Sequence, residues 1–201
     1  AKEKELSVKA GEIVGRLYKA FSEQYAHIET DQHEQRSLNV LLVRLVFLLF
    51  AEDAGLLQEH QAFLYYMKKF ETRQMRKALM DLFRILDTPL DKRDPYEDPD
   101  LLAFPYVNGG LFADENIVIP QFTDKIRADL LAEASAGFDW KDISPTIFGA
   151  AFESTLNPET RRSGGMHYTS VEDIHKVIDP LFLDDLKDEL AQIEGEKVER
   201  T

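Results

Sequence analysis

The residues best suited to hold a ligand lie together at Arg161-Arg162-Ser163-Gly164-Gly165-Met166-His167-Tyr168-Thr169-Ser170. Two adjacent glycines let a backbone take positive φ or approach a bound group closely. An imidazole, a phenol and a hydroxyl follow, and Ser170 stands before Val171-Glu172-Asp173-Ile174 as an N-cap would. A helix that begins there turns free N–H groups and partial positive charge toward the loop, which suits a carboxylate or a phosphate. A tight loop that only caps a helix has the same signature, and local physics favours that plainer reading.

No other constellation is complete. Patterns of the GxGxxG, P-loop, HExxH and GxSxG kinds are absent. The histidines at 27, 33, 60, 167 and 175 are scattered, and without cysteine there is no thiolate metal site, disulfide or redox pair. Adjacent acids such as Glu52-Asp53 and Asp184-Asp185 are expected by chance in so acidic a chain. No catalytic residue and no metal ligand is therefore assigned. A dense basic cluster occurs at Lys68, Lys69, Arg73, Arg76 and Lys77. Lys69, Arg73, Arg76 and Lys77 are candidate contacts for nucleic-acid phosphates. A solvated face that offsets nearby acids is the preferred alternative, since charge runs usually face water. The stretch from Asp87 to Asp100 holds five aspartates, one glutamate and three prolines without an EF-hand pattern, and reads as a loop rather than a cation site.

The elements that must carry these residues are helical. Apolar positions 6, 10, 13, 14, 17, 21, 25 and 28 predict a first helix from Leu6 to Ile28, in which Gly11 and Gly15 allow close packing of a neighbour. A second is predicted over Gln32–Ala54, begun by Thr30 or Asp31 and stopped by Gly55. Its centre, Leu38 to Phe50, is apolar nearly all round, which marks the buried central helix and obliges Arg44 to find an acid or carbonyl partner. Further helices are predicted over 58–70, 72–86, 124–136, 146–156, 171–178 and 180–193, with Trp140 anchoring a turn. Asn108-Gly109-Gly110 and Asn116-Ile117-Val118-Ile119 predict at most a short hairpin near 105–120. The fold class is thus mainly α, a multi-helix domain.

Composition agrees. Hydrophobic residues make up 44% of 201, enough for a core, and 24 Lys and Arg against 37 Asp and Glu leave a net charge of −13. Such a surface repels a polyanion on average, which speaks against a free-standing non-specific nucleic-acid binder but not against one local basic face. No signal-peptide pattern occurs at the start, and the absence of cysteine fits a cytoplasmic origin. The abrupt charged ends look like those of a piece of something longer.

Four segments in this order carry a resemblance: Leu45 through Leu57, Val107 through Phe112, Trp140 with Ile147 through Glu153, and Gly165 through Ser170. Together they resemble the region upstream of the catalytic core in large single-chain bacterial adenine-N6 DNA methyltransferases, above all the MmeI-like fused restriction–modification enzymes. The resemblance runs from about Gln32 to Leu190. It implies a helical spacer over 1–160, and over 161–201 the motif X loop and the start of a truncated methyltransferase domain. It also implies that Gly165, His167, Tyr168 and Thr169 edge a pocket for S-adenosylmethionine, with double-stranded DNA bound by the full-length protein. Ser170 stands where many relatives have proline. The family's Asp-Pro-Ala-Cys-Gly-Ser-Gly type and Asn-Pro-Pro-Tyr motifs are not in the chain, so the isolated fragment is expected to be inactive. A non-enzymatic helical interaction module is the competing expectation.

Overall fold

The computed structural model describes residues 2–107, 110–113 and 116–143. The glycine-rich loop with Gly165, His167, Tyr168 and Thr169, and the helices expected over 146–156, 171–178 and 180–193, lie outside the described residues. Within them, the chain is a multi-helix assembly: α1 (Lys2–Ser22), α2 (Gln32–Asp53), α3 (Ala62–Met67), α4 (Met75–Leu86), α5 (Pro99–Leu102) and α6 (Asp124–Ala128), the last continued by a π-helical segment, Asp129–Ala136.

The second helix is the axis of the packing. Asp31 caps it, accepting from the backbone N–H groups of His33 and Glu34 at 2.8 and 3.3 Å. Gly55, with φ +76°, ends it in the left-handed conformation that a side chain would oppose. Every residue from Leu41 to Glu52 is buried. A helix covered on all sides must have neighbours all round, and α1 and α3 are among them. Leu45 is fully buried there. Leu45→Ala is therefore expected to cost about 2–5 kcal/mol, read as a shift in the urea midpoint at unchanged slope. A loss within error of zero would place α2 at the periphery.

The first helix begins and ends earlier than its apolar spacing predicts. After Ser22 the chain turns, and the buried Tyr25 donates its phenol to the Val118 carbonyl at 2.6 Å instead of continuing the helical face. Gly15 does not serve close packing, since a Cβ there would meet nothing within 4 Å. The helix expected over 58–70 shrinks to Ala62–Met67 because Gln58 and Gln61 adopt left-handed backbones, with φ 71° and 56°. Thr72–Gln74 forms a 3-10 turn that leads into α4.

No strand occurs among the described residues. The run from Ile117 to Thr123 is tied instead by side chains of two helices and of the loop that follows α1. Val118 N–H donates to Ser37 Oγ at 2.9 Å, Val118 O accepts from Tyr25, and Ile119 O accepts from Arg76 Nε at 2.6 Å. Backbone groups near a core must be paired, and these side chains supply the pairing that a neighbouring strand would otherwise provide.

Candidate functional site

The charged residues inside the core are the first that ask for an explanation. Arg44 is 3% exposed in the middle of α2. Its Nε donates to Leu111 O at 2.9 Å and its Nη2 to Ala113 O at 2.7 Å. The guanidinium carbon also lies 5.0 Å from the Phe83 ring centre and 5.7 Å from that of Phe112. Gly110, at φ +80°, turns the loop that delivers both carbonyls. Leu111 and Ala113, just after Gly110, thus form the receptor for a buried cation.

At the far end of α2, Glu52 is fully buried. Ser135 Oγ donates to it at 2.6 Å and the Leu64 N–H at 3.1 Å, so one carboxylate ties α2 to α3 and to the π-helical segment. Asp53 accepts from the Trp140 N–H at 2.8 Å, and the Trp140 indole donates to Ala134 O at 2.7 Å. The Glu52-Asp53 pair is thus a structural clamp and not a chance neighbourhood; its signal in the sequence is the acid that closes an otherwise apolar buried run.

Burial, foremost, raises the Glu52 carboxyl above its ordinary 4.5; the Ser135 and Leu64 hydrogen bonds oppose the rise, and Asp53 adds to it. Asp53 is itself raised, again by burial first. A raised acid stabilises the fold through its protonated form. That contribution is complete below the unfolded value near 4.5 and is lost as pH climbs through the folded value. Glu52→Gln keeps an acceptor for Leu64 and a donor for Ser135 without the charge. Its stability relative to the wild type should therefore grow as pH rises above that of the free carboxyl. Urea midpoints of both proteins across mildly acid to neutral pH check this, and a difference independent of pH would refute it.

The Asp- and Pro-rich stretch is organised by Arg93. Its guanidinium donates to Thr88 O, Leu102 O, Phe104 O and Ile85 O at 3.0, 3.2, 2.6 and 2.9 Å. Asp98 caps α5 through the Asp100 N–H at 2.9 Å. Sequence spacing offered no hint that this arginine, rather than the aspartates, holds the loop.

The basic cluster straddles α3 and α4, and most of it is already engaged. Lys69 pairs with Asp100, Arg73 with Glu71 at 3.1 Å, and Lys77 with Asp81 at 3.0 Å. Arg76 is spent on the Ile119 carbonyl. Lys68 has no acid partner among the described residues; its ammonium lies 4.3 Å from the exposed Tyr65 ring. Two clefts, of about 400 and 540 Å³, meet at Lys68 and Lys69. No group of three or more His, Asp or Glu side chains converges as metal ligands would among the described residues. Nor is any helix among them long and apolar enough to cross a membrane.

Residues 36–112, the stretch that contains most of α2, Arg44 and this cluster, match the family described as "MmeI, helicase spacer domain". The chain is also similar to a solved structure of the Type IIL restriction–modification enzyme MmeI in complex with DNA. It is 36% identical to that protein with a TM-score of 0.63, and covers 96% of this chain and 25% of the other. The chain carries an MmeI-like spacer region. Among curated proteins, the spacer region is similar to DNA methyltransferase A of Bacillus subtilis, 38% identical over 186 residues, 92% of this chain and 20% of that one. A type II restriction enzyme and methyltransferase of Methanocaldococcus jannaschii is 24% identical over 173 residues, 71% of this chain and 14% of that protein. The chain thus spans a fifth or less of the length of these curated relatives.

Proposed function

We propose that the chain is the helical spacer of an S-adenosylmethionine-dependent DNA adenine-N6 methyltransferase of a restriction–modification or phage-defence system. It works in the cytoplasm, upstream of a methyltransferase domain in cis, and meets double-stranded DNA as part of the full-length protein. The observation that carries this reading is the likeness to DNA methyltransferase A across 92% of the chain, joined to the likeness to an MmeI structure that includes DNA. The internal architecture suits a spacer. Its buried polar residues, Arg44 and Glu52, bind helices and loops of the same chain to one another, and a rigid block is what holds two flanking domains at a set separation.

Within this reading Gly165, His167, Tyr168 and Thr169 form one edge of the cofactor pocket, and the glycines and the helix start expected from the sequence at Ser170 suit the methionine end with its carboxylate. Of the candidate phosphate contacts, Lys69, Arg73 and Lys77 remain at the surface with acid partners, whereas Arg76 serves the fold. The deciding experiment is expression of the full-length protein with DNA and labelled S-adenosylmethionine, followed by analysis of the nucleosides. Label in N6-methyladenine is expected. Label in cytosine, or none in DNA, would overturn the assignment.

A further inference from the structure

We propose that the two clefts that meet at Lys68 and Lys69 form a binding site for a nucleotide unit, base in one and phosphate in the other. The first cleft is walled by Tyr65, Tyr66 and Phe104, with Gln58 and Glu59 at its rim. Tyr66 and Phe104 meet edge to face with ring centres 5.7 Å apart, which fixes that wall. Tyr65 is half exposed, with the Lys68 ammonium 4.3 Å from its ring centre. At about 400 Å³ the cleft is of the size that small-molecule sites occupy. A flat base can stack there, with Gln58 and Glu59 as acceptors for an exocyclic amine.

The second cleft is lined by Lys68, Lys69, Thr72 and Arg127 together with Glu71 and Asp124. Its acids are already engaged: Glu71 with Arg73, and Asp124 with the Thr72 hydroxyl at 2.6 Å. Asp100, in the first cleft, is engaged by Lys69. Lys69 is thereby taken, whereas Lys68 and Arg127 are held in place but not consumed. Arg127 is anchored by Nη2 on Lys68 O and Phe70 O at 3.1 and 3.4 Å, and no acceptor among the described residues takes its Nε or Nη1. Lys68 rests on Tyr65. Cations fixed in this way lose little freedom when a phosphate arrives. Gln58, a non-glycine residue at φ 71°, sits at the rim of the first cleft, and strained backbone of this kind clusters where ligands are clamped.

The choice of a nucleotide as ligand rests on the nucleic-acid reading above, while the site itself rests on the geometry. Its test leaves methyl transfer aside. The 201-residue chain is titrated with a fluorescein-labelled single-stranded deoxyadenosine decamer, the matched duplex and free deoxyadenosine monophosphate. Saturable binding of the decamer is expected, weakened about tenfold by Tyr65→Ala and retained by Tyr65→Phe. Lys68→Glu should weaken it to a similar degree and lower its salt slope by about one, while Lys9→Gln, at an exposed lysine outside both clefts, leaves it unchanged. Equal affinity for the monophosphate would make the free nucleotide the ligand; binding of the strand alone would make it a nucleic-acid segment. Both exposed positions are checked by far-UV dichroism. No saturable binding of any probe, or binding untouched by Tyr65→Ala and Lys68→Glu, would overturn the proposal.

Discussion

Arg44→Ala is expected to destabilise the chain by about 3–5 kcal/mol, more than a typical core truncation, and to loosen the loop at Leu111 to Ala113 first. Each buried acceptor left without its donor costs about 1–3 kcal/mol. Here two carbonyls, of Leu111 and Ala113, lose their donor together. The rings of Phe83 and Phe112 lose their neighbouring cation as well. Arg44→Met fills the space without restoring the bonds, and falls between the wild type and the alanine variant. Urea unfolding measures the total. Hydrogen exchange in the 110–113 segment measures the local part, and a loss of stability without faster exchange there would show that the loop is held by other means.

In the full-length protein, Tyr168→Ala together with Thr169→Ala is expected to weaken S-adenosylmethionine binding by tenfold or more, the equivalent of about 1.4 kcal/mol. The 201-residue chain is expected to bind none measurably. Both follow from an incomplete surface. A cofactor pocket encloses most of its ligand between several elements. One loop and a helix start contribute hydrogen bonds of about 0.5–1.5 kcal/mol each, against an association cost of at least about 4 kcal/mol. The family motifs that would hold the adenosine are not in the chain. Calorimetry on both proteins decides. Firm binding by the short chain defeats the incomplete-pocket argument, and normal binding by the full-length double variant defeats the assignment of Tyr168 and Thr169.

Local signals made part of this protein legible as plain sequence. The central helix, its Asp31 cap and its Gly55 stop depend on residues a few positions apart, and all three stand where spacing puts them. That Arg44 needs a carbonyl or acid follows from the cost of a bare charge among apolar neighbours. The four family segments were legible for the same reason: identity and order need no geometry. What tertiary structure alone decided is which distant group answers each demand. The partners of Arg44 lie 67 and 69 residues away, and Ser135 reaches Glu52 across 83. Turn residues allowed at most a short hairpin near 105–120; no strand occurs among the described residues, and the run from Ile117 to Thr123 is paired by Tyr25, Ser37 and Arg76. The basic cluster looked uniform by composition, yet packing engages Lys69, Arg73, Arg76 and Lys77 with acids or a carbonyl and leaves Lys68 over the exposed Tyr65 ring. Pairing energies depend on distance in space, and the spacing of residues along a chain carries that distance only within one element.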